Sequence, residues 1–184
     1  MSQYIMNRYF WILILLLASS SVSFRKYVGK EFDIGEEVCT DGWEIAGYYT
    51  PDERDFIGPK IEVKVNKTIY EFKEDFVQEV RIQGTGKTEY GWFLTCCWEK
   101  RERKVGTCDQ TLVKLTSVMR EPLLYDCGQC FHIHTPELKE YTFIAEDSSN
   151  RITGQSLGVY CGEGKEAKEL IPKIARTNVT VCTC

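Results

Sequence analysis

The sequence predicts a mainly β fold, a small barrel with one or two short helices held together by disulfides, and three observations carry that prediction. Short runs at strand spacing, β-branched or alternating apolar with polar, recur along most of the chain. Glycines at Gly84, Gly86, Gly91, Gly154 and Gly158 punctuate them, as sharp corners require. All nine cysteines stand at or beyond Cys39, the placement expected of a domain that oxidises after export.

The 184 residues carry 43% hydrophobic and 27% charged side chains and a formal net charge of -4. That composition excludes a disordered, collagen-like or multispan membrane chain. The acidic balance also leaves no surplus for gripping a phosphate backbone, so nucleic acid is not an expected partner. The length fits one domain.

Residues 1–23 read as a cleaved signal peptide. Asn7 and Arg8 precede an apolar run from Tyr9 to Ala18, and small residues at Ser21 and Ser23 suit cleavage before Phe24. Ten apolar residues rise about 15 Å in a helix, half of a hydrocarbon core of roughly 30 Å, so no stable membrane span is expected after cleavage. The exported body is mildly acidic and is expected to be secreted. Asn66-Lys67-Thr68 and Asn178-Val179-Thr180 are glycan acceptors if the export route is eukaryotic.

Strands are expected at Ile61–Val65, Val80–Gln83, Trp92–Trp98, Leu112–Met119, Phe131–His134, Tyr141–Ala145, Leu157–Cys161 and Asn178–Cys182. Helices are expected at Phe72–Glu79 and Lys165–Ile174. In the second, Ala167, Leu170, Ile171 and Ile174 recur at helical spacing. Cys39, Cys96, Cys97, Cys108, Cys127, Cys130, Cys161, Cys182 and Cys184 are read most simply as four disulfides and one odd thiol, with the pairing left open.

Three patterns have ordinary explanations. Cys127-Gly128-Gln129-Cys130 with His132 and His134 offers zinc-ligand types at a spacing no zinc finger uses, so disulfide bonding is expected there and no metal or other cofactor. Glu99 to Lys104 mixes both charges densely and reads as a solvated hairpin loop rather than an anion-binding patch. Gly84-Thr85-Gly86-Lys87-Thr88 lacks the four-residue spacer of a phosphate loop and reads as a barrel corner.

Gly47-Tyr48-Tyr49-Thr50-Pro51, then Gly84 to Thr88 with Gly91-Trp92, then Pro136-Glu137-Leu138-Lys139, and finally Gly154 to Gly162 with Val159-Tyr160 occur in this order. The series resembles the three-aspartate (3D) domain of the membrane-bound lytic transglycosylase A family and its small secreted, cysteine-rich relatives. The resemblance covers residues 46–184, leaving 24–45 as an N-terminal extension. It implies a double-psi β-barrel, related in architecture to barwin and expansin domains. It further implies a groove for a β-1,4-linked aminosugar polymer, peptidoglycan or chitin-like. There one aspartate protonates the glycosidic oxygen and then acts as base while the 6-hydroxyl closes a 1,6-anhydro ring.

Carried over residue by residue, the family's aspartate segment falls on Asp147-Ser148-Ser149-Asn150-Arg151-Ile152-Thr153-Gly154-Gln155-Ser156-Leu157-Gly158-Val159-Tyr160. Asp147 matches the first aspartate. Gly158 stands where the family's catalytic acid belongs, and Glu89, before Gly91-Trp92, is a shifted candidate for the third. Glycine has no proton to give, and loss of a general acid typically costs ~10²–10⁴-fold in rate. Binding without cleavage is therefore the expected function, with Tyr48, Tyr90 and Trp92 as stacking faces for sugar rings. Two alternatives stand beside it: a lytic transglycosylase-like glycosidase that recruits Glu89, Asp109, Glu146 or Asp147, and an extracellular protein-binding effector or inhibitor.

Overall fold

The computed structural model describes residues 37–124 and 126–184. The signal peptide expected at residues 1–23 lies outside the described residues, as does most of the extension expected at 24–45. Within them, β1 (Val38–Thr50) already belongs to the barrel, so barrel strand runs across the boundary drawn at residue 46.

Six strands close the barrel in the order β1, β10 (Ser156–Glu163), β7 (Ser117–Arg120), β9 (Thr142–Ser148), β8 (Cys130–Ile133) and β11 (Arg176–Thr183). Two neighbouring pairs, β1 with β10 and β7 with β9, are parallel; the other pairings are antiparallel. This is the double-psi β-barrel the resemblance implied. Alternation explains the strands: β9 buries Phe143, Ala145 and Asp147 and turns the residues between them outward. Trp43, Ile45, Phe131, Ile133, Phe143, Leu157, Val159 and Val181 fill the interior.

A second, smaller lobe stands beside the barrel. The hairpin β2 (Lys60–Val65) and β3 (Thr68–Lys73) leads into α1 (Glu74–Gln83), followed by the sheet β4 (Thr85–Lys87), β5 (Phe93–Thr95) and β6 (Lys100–Arg101). Phe72, Phe76, Val77, Val80, Trp92 and Leu94 form its core. Glu74 and Asp75 favour the positive N-terminal end of α1, and Gly84 ends it in the left-handed region, its N–H bonding the Val80 carbonyl at 2.8 Å.

The Val80–Gln83 strand is thereby corrected: Val80 continues the buried face of Phe76 and Val77, so the helix outlasts the local β-branched signal. The helix also starts two residues later than expected, because Phe72 and Lys73 pair with β2. The expected corner at Gly84–Thr88 is likewise a helix cap followed by β4, where a Cβ on Gly86 would lie 2.6 Å from Phe76. Only Phe93–Thr95 and Ser117–Met119 of two longer expected strands are extended and paired.

A second helix, α2 (Gly164–Ile174), packs Ala167 and Ile174 on β1 and β10. Its first turn is tied by the Asp55 carboxylate, which accepts from the Lys165 N–H at 2.7 Å. No helix among the described residues is long and apolar enough to cross a membrane.

Three disulfides and three free thiols replace the expected four bridges and one thiol. Cys39 pairs with Cys182, Cys108 with Cys127, and Cys130 with Cys184. Cys127 and Cys130 therefore bond to different partners, which splits the Cys-x-x-Cys. Cys161 is a buried core thiol, pushed up to about 11 by burial, and so is inert. Cys96 and Cys97 are free and exposed.

Two buried phenols are expected to make the fold alkali-sensitive. Burial pushes Tyr160 up to about 12 from an ordinary 10.0, and Tyr48 also stands well above that value through burial and the nearby Asp147 charge. A raised folded-state value stabilises the fold fully below the unfolded value and is lost as pH rises through the folded one. Denaturant midpoints are therefore expected to hold up to pH 10.0 and fall between there and about 12, with Tyr160→Phe flattening part of the decline.

Candidate functional site

A cleft of about 840 Å³ separates the barrel from the smaller lobe. Its barrel wall is made by Gly47 and Tyr48 of β1, Met119 of β7, Asp147 and Ser148 of β9, and Ser149, Arg151 and Ile152 beyond them. Opposite stand Arg81 to Gly84 at the end of α1, Thr95 to Cys97, Glu99 and Arg101, while the segment Lys104 to Thr107 also lines the cleft and is tied to β9 through Thr107. Arg151 reaches across, donating from Nη1 to the Ile82 carbonyl at 3.1 Å.

Strand register sets the row that matters. Gly158 pairs with Met119, and Met119 with Asp147, so the three stand side by side on adjacent strands β10, β7 and β9. A Cβ on Gly158 would meet Met119 Cβ at 3.2 Å and Ile152 Cδ1 and Tyr48 Cδ1 at 3.5 Å each. All three of those residues line the cleft, so a side chain at 158 would pack against its wall. Its three nearest neighbours are carbon atoms, none of them part of a carboxylate.

Asp147 is the buried acid of the cleft, 7% exposed. Its Oδ1 accepts from the Thr107 and Ser148 N–H groups, both at 3.0 Å, which fixes the carboxylate relative to the strand. Asp147→Ala should leave these donors unmatched and cost about 1–3 kcal/mol of stability, read from urea midpoints, while Asp147→Asn keeps an acceptor and should lose less. The Tyr48 hydroxyl lies close enough to feel this carboxylate but has no partner in hydrogen-bond geometry; its ring packs on Tyr160 at 5.3 Å. Burial lowers the Lys104 amine below the ordinary lysine range, with Asp147 opposing that shift and Arg101 adding to it.

The structure separates the other expected site residues. Glu89 does not line the cleft; it pairs with Lys60, and with Lys73 at 3.7 Å. Lys60 holds its carboxyl below the ordinary range. Tyr90 and Trp92 stack together at 6.1 Å in the smaller lobe's aromatic cluster with Tyr70 and Phe72, and neither lines the cleft. Glu146 points away from it, accepting from the Ser117 hydroxyl. Asp109 stands at the mouth, 3.7 Å from Arg103. Asn66 and Asn178 are exposed.

Sequence reasoning missed Lys104, Arg101, Arg81 and Thr107. The charge run Glu99–Lys104 is in part the solvated loop expected, but Arg101 and Lys104 turn into the cleft. Only the closure of the smaller lobe against the barrel shows that, since mixed charge carries no direction.

No protein-family model matches the chain, and no curated protein does. Solved structures do match. Escherichia coli MltA with bound chitohexaose superposes at TM-score 0.60 and 14% identity over 77% of this chain and 71% of that one. A second Escherichia coli MltA structure, described as a unique lytic transglycosylase fold, gives TM-score 0.58 and 14% identity over 78% and 72%. A membrane-bound lytic murein transglycosylase from Agrobacterium tumefaciens gives 0.56 and 13% over 80% and 75%. The chain has an MltA-like fold.

Proposed function

We propose that this protein is a lytic transglycosylase-like 3D-domain protein that holds a β-1,4-linked aminosugar polymer, peptidoglycan or chitin-like, in the cleft without cleaving it at an enzyme's rate. One observation carries the reading: position 158, two strands from Asp147 and packed against the cleft-lining Tyr48, Met119 and Ile152, is a glycine with no proton donor. An MltA structure with chitohexaose bound supports the ligand class.

A second reading, slow transglycosylase-type cleavage through Asp147, is favoured by the neighbours themselves, which are lytic transglycosylases, and by that buried carboxylate in the cleft. Export, with residues 1–23 removed and glycans on Asn66 and Asn178, belongs to the same proposal. Three disulfides and the exposure of both asparagines support it.

The test is co-sedimentation of the purified protein with peptidoglycan and with chitin, analysing pellet and soluble sugars. Retention with no released sugar supports binding. Release of 1,6-anhydro ends that Asp147→Asn abolishes supports cleavage. Neither retention nor release overturns both and leaves the protein-binding effector.

A further inference from the structure

The adjacent thiols Cys96 and Cys97 are not accounted for by the fold or by the polymer site. They lie in the turn between β5 and β6, both exposed, both lining the cleft, with Sγ atoms 3.7 Å apart. The described cysteines outside this turn are either bridged or, like Cys161, buried. A thiol pair at contact distance, reachable by a small molecule, is the arrangement that thiol–disulfide exchange requires.

We propose that Cys96–Cys97 is a thiol–disulfide exchange site whose substrate is a low-molecular-weight disulfide, and that its oxidation reshapes the cleft wall. The Cys97 thiolate attacks RSSR, forming Cys97–S–S–R and releasing RS⁻. Cys96 then gives up its proton and attacks the Cys97 sulfur, closing the Cys96–Cys97 bond and releasing the second RS⁻. The pair loses two electrons and two protons, and both appear in two RSH. Burial and the neighbouring Cys97 raise the Cys96 thiol, which fits Cys96 as the partner that acts second.

The turn is built so that closure must disturb it. A disulfide usually spans a Cα separation of about 4.4–6.8 Å, whereas consecutive Cα atoms lie about 3.8 Å apart, so the bridge forms by bending the turn and re-reduces readily. That turn is held by Trp98 N–H to Thr95 O at 3.0 Å, Glu99 N–H to Thr95 Oγ1 at 3.1 Å and Cys96 N–H to Gly84 O at 2.8 Å. Trp98 sits at φ 61° and carries the Arg81 guanidinium 5.3 Å over its ring. Arg81 lines the cleft as the two cysteines do, so the change at the sulfurs alters the wall directly and also through this stacked pair.

The experiment needs no polymer, so its failure is separable from failure of the proposed function. The full chain is titrated with oxidised and reduced glutathione, and each point is read by peptide mapping and by hydrogen exchange. The expected result is an internal crosslink in the peptide holding residues 96 and 97, reversed by a mild thiol, with loss of amide protection over Thr95–Glu99. Cys96→Ser is expected to trap the glutathione adduct on Cys97. Two thiols that remain free, two separate adducts in wild type, an intermolecular dimer, or a crosslink that leaves exchange over the turn unchanged would each overturn the proposal.

Discussion

Gly158→Asp is expected to release 1,6-anhydro-ended sugars from peptidoglycan, with turnover rising ~10²–10⁴-fold over wild type. The new carboxyl would stand on β10 beside Met119 and share a cleft wall with Asp147. Strand backbone at 158 accepts a side chain, since its φ is not among the positive values. The approach to Met119 Cβ at 3.2 Å is tight and should cost about 1–3 kcal/mol of stability. Burial among Tyr48, Met119 and Ile152 raises a carboxyl's affinity for its proton, as a general acid requires. Folded, polymer-retaining Gly158→Asp protein that releases nothing would mean that more than one donor has been lost. A measurable rate in wild type would locate the chemistry elsewhere in the cleft.

Removing the Cys39–Cys182 bridge should give the largest loss of stability among the three disulfides. It joins the first barrel strand to the last across a sequence separation of 143 residues, against 19 for Cys108–Cys127. Replacing both cysteines by Ser is expected to cost roughly 2–5 kcal/mol. Loop entropy scaling makes that about 2 kcal/mol more than the same change at Cys108 and Cys127. Denaturant titrations of the two double variants read the difference. Equal midpoints would show that residual order in the unfolded chain, rather than loop length, sets the effect.

The barrel strands were legible where burial alternates on one face, as at Phe131–His134 and Tyr141–Ala145, and at Leu157–Cys161, where a short run is buried throughout between turn residues, each found within a few residues of its paired strand. β1 was not, because Asp41 and Gly42 break the alternation and Tyr48, Tyr49 and Thr50 are all buried together. Asp147 and Gly158 were singled out from an ordered motif, and the structure sets them on strands either side of Met119, with Asp147 in the cleft. Glu89 looked equally acidic in sequence, yet two lysines from the neighbouring hairpin claim it. Trp92 illustrates the same limit: an aromatic residue serves a core or a sugar equally well, and only the lobe's packing assigns it, whereas Tyr90 stacks on it from the exposed side.

The cleft's identity as the polymer site is tested most directly by hydrogen exchange of the wild-type protein with and without an aminosugar hexamer. The expected result is added protection confined to 47–48, 81–85, 95–109, 119 and 147–152, the segments that line both walls, with the hexamer recovered intact. Protection at the Tyr70, Tyr90 and Trp92 face instead, or none in the cleft at saturating hexamer, would contradict it.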